Sequence, residues 1–142
     1  MAKTIEHIHW PNAPDMWMPY APAIKVRGGT TIYLAGVTAA PVYHHHPHRP
    51  EEFDAMPQTM EGQARAALEN LKRGLEAVGA TFADVVKITT YVKGYTPEQR
   101  MPITEIRNRY LVKPLPASTL VGVETLVHDD FLIEVEAIAV VG

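Results

Sequence analysis

The sequence predicts an α+β fold in which two helices cover one face of a six-stranded mixed sheet. A long helical repeat lies between segments rich in β-forming residues, and a second helical segment separates the later strands. The two halves share a coarse strand–helix–strand plan, as a ferredoxin-like arrangement would. The chain has 142 residues, the size of one domain, so we expect a single domain spanning residues 1–142.

The amino-terminal part is predicted to contain three strands. Residues 3–10 are expected to form the first, short strand. Residues 24–27 and residues 30–37 are rich in β-branched and apolar residues and flank the pair Gly28 and Gly29. A glycine pair between two such segments predicts a hairpin.

The first helix is predicted over residues 58–78, because its apolar residues recur every three or four positions along one helical face. Gly79 follows where a glycine commonly ends a helix. The apolar positions are Met60, Ala64, Ala67, Leu68, Leu71, Leu75 and Val78.

A strand over residues 84–93 and a second helix over residues 101–111 are predicted next. The strand segment is enriched in β-branched residues. Pro97 and Pro102 argue against one continuous helix, so we expect a turn over residues 96–100 before the helix begins. The side chains expected to face inward are Ile103, Ile106 and Tyr110.

The last two strands are predicted over residues 118–125 and 131–140. In the final strand, short apolar residues alternate with a set that contains Glu134 and Glu136. The apolar set indicates a face pressed against helices. The acidic set indicates a wet or functional face.

Composition excludes several classes of function. There are no cysteines, which excludes disulfides, zinc–thiolate sites and thiol nucleophiles. A net charge of -3 with scattered basic residues argues against nucleic acid as a partner. No apolar segment reaches transmembrane length and the start lacks a signal-peptide core, so we expect a cytoplasmic protein without a membrane partner.

Several motifs follow one another in a fixed order along the chain. They lie over residues 18–20, 31–36, 63–81, 84–92, 116–123 and 133–140. Each motif is weak alone, but the ordered set is specific, and it resembles the RidA (YjgF) family of imine and enamine deaminases. Ser118 stands where that family usually has an arginine, so the chain is similar to an arginine-lacking branch.

The resemblance implies a chorismate-mutase-like fold that assembles as a homotrimer with a small-molecule cleft at each subunit interface. In the deaminases, a glutamate on the final strand positions the attacking water, and this residue corresponds to Glu134. General-base catalysis suits a carboxylate placed in this way. A solvated or ion-paired strand residue is the alternative role for Glu134.

The arginine of the family forms a bidentate ion pair with the substrate carboxylate, which Ser118 cannot do. Ser118 and Thr119 are each able to donate one hydrogen bond, although Ser118 is equally explained as the start of a strand. Arg107 lies where family members carry a cleft-lining asparagine. It is a candidate replacement for the missing arginine, with a solvated helix arginine as the alternative.

Three further positions are assigned to the cleft through the resemblance. Tyr20 corresponds to the family tyrosine through its preceding proline, although ungapped counting places Pro22 there. Ala35 and Gly36 stand in the family's Ser-Gly-Gln segment, where polar groups are lost. Together with Ser118, these changes indicate a substrate other than the standard 2-aminoacrylate type.

A long loop over residues 38–57 contains a run of histidines. Zinc, nickel or copper binding, a lid or substrate-contacting loop, and a plain solvated loop are the alternatives. Adjacent histidines rarely all reach one metal, so no metal site is predicted, and no motif indicates a cofactor. The histidines are His44, His45, His46 and His48.

Three functions follow from these observations. The first is hydrolytic deamination of an imine, enamine or related small metabolite, with Glu134 activating water. The second is a non-catalytic trimer of the same fold that binds a small molecule. The third, an endoribonuclease, is disfavoured by the acidic balance and by the absence of an aromatic and basic platform.

Overall fold

The computed structural model describes residues 2–41 and 45–142, so His44 lies outside the described residues. Six strands and two helices follow in the predicted order. Short 3₁₀ turns over Pro50–Phe53, Phe82–Asp84 and Pro97–Gln99 lie between them. The elements are β1 (Thr4–Ile8), β2 (Ala23–Arg27), β3 (Thr30–Val37), α1 (Met60–Ala77), β4 (Val85–Lys93), α2 (Arg100–Tyr110), β5 (Ala117–Val123) and β6 (Ile133–Val141).

The strands form two sheets, which corrects the prediction of one six-stranded sheet. The larger sheet has the order β3-β6-β4-β5; β4 and β5 run parallel and the other pairs are antiparallel, so it is mixed as predicted. The smaller sheet is the antiparallel pair of β1 and β2. The physical reason is that the backbone groups of β2 bond to β1, whereas those of β3 bond to β6.

The predicted hairpin between β2 and β3 is therefore wrong as a strand pair, although the turn itself is present. Gly28 and Gly29 have φ values of 68° and 77°, in the left-handed region that favours glycine. A Cβ on Gly29 would stand 2.7 Å from the carbonyl oxygen of Val141. The turn is thus pressed against the end of β6, and it sends β3 into the larger sheet.

The ends of α1 are set by capping. Thr59 precedes the helix, and its Oγ1 accepts a hydrogen bond from the Gly62 N–H at 3.1 Å. After the helix, Gly79 has a φ of 72° and the Ala80 N–H donates to the Leu75 carbonyl at 2.8 Å. The helix therefore starts two residues later than the apolar pattern predicts, because Thr59 caps the helix from outside it.

Both helices pack on the same side of the larger sheet. The main core combines the apolar face of α1 and residues of α2 with alternate residues of β4 and β6. Its most deeply buried members are Ala67, Leu68, Leu71, Leu75, Ile88, Val92, Ile133 and Ala139. This confirms the predicted apolar face of the last strand and, from Ala64 to Leu75, that of the first helix; Val78 was wrongly included, because it follows the end of α1 and is 45% exposed. No helix within the described residues is long and apolar enough to cross a membrane.

On the opposite face of the larger sheet, no helix is found among the described residues. Glu134 and Glu136 alternate with buried residues of β6 and point away from the core. Tyr91 occupies the equivalent side of β4, and Tyr33 of β3 is 78% exposed. We call this surface the open face.

A buried amide connects the loops at one end of the sheet. Gln63, on α1, is fully buried. Its Nε2 donates to the carbonyl oxygens of Pro57 at 3.0 Å and Asp130 at 2.8 Å, and its Oε1 accepts from the Leu132 N–H at 2.8 Å. The start of α1 and the entry to β6 are therefore fixed to each other by one side chain.

Replacing Gln63 with leucine is expected to destabilise the fold on the order of 3 kcal/mol, because it leaves buried backbone groups without partners. Urea unfolding followed by circular dichroism measures the change. The matched control is Gln58→Leu, since Gln58 is exposed and bonds only to Met56. Equal effects of the two substitutions would contradict this account of Gln63.

Candidate functional site

Arg107 is a buried cation on α2. The residue is only 6% exposed. Its guanidinium donates to the Ser118 Oγ, to the carbonyl oxygen of Pro19, and to the Asn108 Oδ1 at 3.0 and 3.1 Å. Burial lowers the pKa of the guanidinium from its ordinary value, and this group nevertheless stays protonated. Arg107 therefore links α2, the start of β5 and the segment that precedes β2.

The partners of Arg107 are all neutral. Within residues 2–41 and 45–142, no ion pair with a carboxylate is formed by this side chain. Desolvated charges in proteins are usually paired, since an isolated charge is costly to bury. Arg107 is consequently the kind of group that an anionic ligand would neutralise.

Ser118 and Thr119 point in different directions. The Ser118 hydroxyl accepts from Arg107 on the helix side of the sheet. The Thr119 hydroxyl accepts a hydrogen bond from the Lys87 Nζ at 2.6 Å. Ser118 is thus in direct contact with Arg107, the candidate replacement for the missing arginine.

Glu134 lines an open cavity of about 420 Å³ on the open face. Gly36 lies against it, because a Cβ on Gly36 would stand 2.2 Å from the Glu134 Oε1. The pairing of β3 with β6 is irregular between Leu34 and Val37, and this irregularity surrounds Ala35 and Gly36. The remaining cavity residues are Tyr91, Val123, Thr125, Leu126, Val127 and Glu136.

Tyr91 and Glu136 form a hydrogen-bonded pair beside Glu134. Tyr91 lies directly opposite Glu134 in the pairing of β4 with β6. Its hydroxyl donates to the Glu136 Oε1 at 2.7 Å. The hydrogen bond to Glu136, then desolvation and the two carboxylate charges, raise the pKa of Tyr91. The cavity therefore holds a protonated phenol between two carboxylates.

Tyr91 and Glu136 lie in this site although neither was among the predicted site residues. The alternation of acidic and apolar residues in the last strand is a signal for Glu136. The position of Tyr91 depends on how β4 aligns with β6, and strand alignment over more than forty residues of separation has no local signal in the sequence.

Within one chain, the predicted site residues fall into separate groups. Glu134 and Gly36 line the cavity on the open face, with Ala35 next to Gly36 in the irregular part of β3, whereas Arg107 and Ser118 meet on the helix side of the sheet. Tyr20 follows the Pro19 carbonyl that binds Arg107, but its own side chain lines another cavity beside Lys113 and Leu115. One protomer alone does not bring Arg107 and Glu134 into one cavity.

The histidine loop is held by one carboxylate. Glu52 accepts hydrogen bonds from the Nδ1 atoms of His45 and, at 3.1 Å, of His48, and from the Arg49 N–H at 3.1 Å. These bonds, led by that from His45, outweigh desolvation and lower the pKa of Glu52 to about 2. Among the described residues, no three histidine or acidic side chains are placed to hold a metal ion.

The same loop packs against the segment before β6. The Phe53 ring lies 4.6 Å from the His128 ring and 5.6 Å from the Phe131 ring, measured between centroids. Val127 lines both a small cavity at this contact and the Glu134 cavity. Val127 thus lies between the Phe53 contact and the Glu134 cavity, and none of the described residues of the histidine loop lines the Glu134 cavity.

Comparison with known proteins identifies the family. The family described as endoribonuclease L-PSP matches residues 10–141. A RutC family protein of Pyrococcus abyssi is 36% identical over 139 residues, covering 98% of each chain. A 2-iminobutanoate/2-iminopropanoate deaminase of Dermatophagoides farinae is 31% identical over 134 residues, covering 94% of each.

The fold agrees with this match. A crystal structure of YyfB from Yersinia pestis, a protein of unknown function in the conserved Rid family, superposes with a TM-score of 0.79 at 28% identity, covering 96% of this chain and 98% of that one. The chain belongs to the endoribonuclease L-PSP family, also called the YjgF/RidA family. This confirms the resemblance derived from the sequence motifs, and the α+β class with it.

The Tyr91–Glu136 pair predicts a specific titration behaviour. Glu136→Gln removes a negative charge from the hydrogen bond, so the pKa of Tyr91 is expected to fall toward the ordinary value of 10.0. NMR titration of ring-labelled tyrosine, assigned with Tyr91→Phe, measures it. Glu69→Gln is the matched control, because Glu69 accepts from Tyr110 at 2.9 Å in the same way.

In this control, the pKa of Tyr110, raised by burial and by Glu69, is expected to fall while that of Tyr91 stays unchanged. A Tyr91 titration that is insensitive to Glu136→Gln would show that the pair does not form.

Proposed function

We propose that the protein hydrolyses an imine or enamine of a small anionic metabolite in a cleft between two copies of the chain. The observation that carries this proposal is Glu134 in an open cavity beside Gly36, in a member of a family with relatives named 2-iminobutanoate/2-iminopropanoate deaminase. Gly36 leaves space beside the carboxylate, where any other residue would displace it.

The chemistry suits a carboxylate general base. The substrate reacts as an iminium, protonated on its nitrogen. Glu134 accepts a proton from a water molecule as the water oxygen bonds to the iminium carbon and the C=N double bond becomes a single bond, which gives a neutral amino alcohol. Glu134 then returns that proton to the nitrogen, and the C–N bond breaks as the hydroxyl proton passes to Glu134 and the C=O bond forms. One iminium and one water give one carbonyl compound, one ammonia and one proton, which Glu134 releases to solvent.

Tyr91 is suited to orient the substrate nitrogen in this reaction. Its hydroxyl proton is engaged by Glu136, so the phenol oxygen presents lone pairs to an N–H group in the cavity. The charges of Glu134 and Glu136 favour a nitrogen that carries positive charge. An iminium is more electrophilic than a neutral imine, so the same charges promote attack by water.

Arg107 is the proposed anchor for the anionic group of the substrate. Its fork geometry suits a carboxylate, and its present partners are neutral groups that an anion is able to outcompete. Because it occupies α2 and not the position of Ser118, it holds the anion from another direction. This supports a substrate other than the standard 2-aminoacrylate type.

A homotrimer is proposed because one chain leaves Arg107 and Glu134 apart. The open face displays exposed apolar side chains, among them Tyr33 and Val121, that no element of the described part of the chain covers. Heterologous contacts of this kind close into rings, and each contact joins two different surfaces. A cleft at such a contact would combine the Arg107 side of one subunit with the Glu134 side of the next.

A non-catalytic binding trimer is the second candidate, because Ser118 replaces the arginine that binds the carboxylate in the deaminases. In that case the cleft would bind the metabolite without consuming it, and calorimetry would show saturable binding of a compound that the protein leaves intact. Nucleic acid is not a proposed ligand, since the net charge of the chain is -3.

Glu134→Gln is expected to lower ammonia release from a nascent imine by roughly 10²- to 10⁴-fold, the range of a general base. An amino-acid oxidase makes the imine in place from several parent amino acids, and ammonia is measured against buffer. Glu76→Gln, on the exposed side of α1, is the matched control and should retain full activity. Wild-type protein no faster than buffer with every parent amino acid would exclude the enzyme.

Mixing two inactive variants tests the shared cleft. If Arg107 and Glu134 of each cleft come from different subunits, refolding Arg107→Gln and Glu134→Gln together in equal amounts restores about a quarter of the clefts. Activity should recover to about that fraction, and light scattering should show three times the chain mass of 15.8 kDa. No recovery, or a monomer-sized species, would contradict the proposed arrangement.

A further inference from the structure

A second cavity, of about 290 Å³, shares no residue with the Glu134 cavity. It lies between the end of β1, the segment before β2 and the segment before β5. Its volume is close to the lower limit for small-molecule sites, roughly 300 Å³. The lining residues are His7, Ile8, His9, Met16, Trp17, Met18, Tyr20, Ala21, Pro22, Lys113, Pro114 and Leu115.

The walls of this cavity are apolar and aromatic. Trp17 and Met16 are 62% and 60% exposed, and Tyr20 is exposed beside them. Single exposed apolar residues are common on protein surfaces, but a group of them around a concavity marks a binding site. Two aromatic rings in the wall favour a flat ligand, which gains both burial and ring contacts.

Lys113 is the charged residue at this cavity among the described lining residues. His7 of β1 and His9, which follows β1, add two imidazoles to the wall. None of the described lining residues is acidic, and Lys113 forms no ion pair within the part of the chain that the structure describes. The electrostatic character of the site is therefore complementary to an anion.

The floor of the cavity is fixed. The Ala21 N–H donates to the Pro116 carbonyl at 3.0 Å, which joins the segment before β2 to the segment before β5. Ala21 and Leu115 are buried at this junction. The backbone below the aromatic side chains is thus held by this hydrogen bond, as a preformed site requires.

We propose that this cavity binds a small organic anion with a flat apolar body, of the aromatic carboxylate class, at a site separate from the Glu134 cleft. The apolar walls take the ring, and the carboxylate faces Lys113 and the histidines. The charge complementarity favours this occupant over a second copy of the chain. The experiment below distinguishes the two occupants.

The probe is 1-naphthoate, titrated by calorimetry and by tryptophan fluorescence. One saturable site per chain is expected. The neutral analogue 1-naphthalenemethanol should bind roughly two- to fivefold more weakly, because an exposed ion pair contributes modestly. Added salt should reduce this difference, since screening weakens exposed charge pairs.

Matched variants locate the site. Trp17→Ala should weaken 1-naphthoate binding by roughly tenfold or more through lost ring contact, whereas Trp10→Ala, outside the lining, should leave it unchanged. Lys113→Met should abolish the preference for the anion over the neutral analogue. Lys25→Met, on the exposed side of β2, should preserve that preference.

Glu134→Gln separates this proposal from the proposed function, because it should abolish deamination and leave 1-naphthoate binding intact. The proposal is overturned by absence of saturable binding, by equal effects of Trp17→Ala and Trp10→Ala, or by loss of binding in Glu134→Gln. It is also overturned if Trp17→Ala changes the mass in light scattering and not the affinity, since a second copy of the chain then occupies the cavity.

Discussion

The organisation of this protein depends on one packing constraint: a four-stranded sheet has two faces, and the chain supplies helices for only one of them. The side chains of α1 and α2 bury the short apolar residues of β6 on that face. Every second residue of β6 must then point the other way, which places Glu134 and Glu136 on a surface that neither α1 nor α2 covers. The chemistry-bearing carboxylates are exposed because of the alternation that makes the core.

Ser118 and Arg107 meet at one junction. The serine hydroxyl, at the start of β5, accepts a hydrogen bond from the guanidinium on α2. The Pro19 carbonyl and the Asn108 Oδ1 are the other acceptors, and both are neutral. A positive charge therefore reaches the start of β5 from the helix and not from the strand itself.

Local signals predicted most of the fold, whereas long-range pairing could not be predicted. The three- and four-residue repeat of α1 and the alternation of β6 follow from burial on one face, so the sequence displays both. The pairing of β2 with β1, in place of a hairpin with β3, depends on how the glycine turn packs against the end of β6. The residues next to the turn in the sequence give no signal for that long-range contact. A motif in the last strand predicts Glu134 as a site residue. Tyr91 lies opposite it only because of how β4 pairs with β6, so no local motif predicts Tyr91.

The histidine loop shows how a segment without a direct role still shapes the site. Glu52 forms hydrogen bonds with His45 and His48, and it lies in the 3₁₀ turn that ends in Phe53. Phe53 then packs against His128 and Phe131, and Gln63 fixes the same end of the sheet from below. The segment between them carries Val127 into the wall of the Glu134 cavity. The contacts of Phe53 and Gln63 therefore place the start of this segment, and Val127 is the residue that the Phe53 contact and the Glu134 cavity have in common.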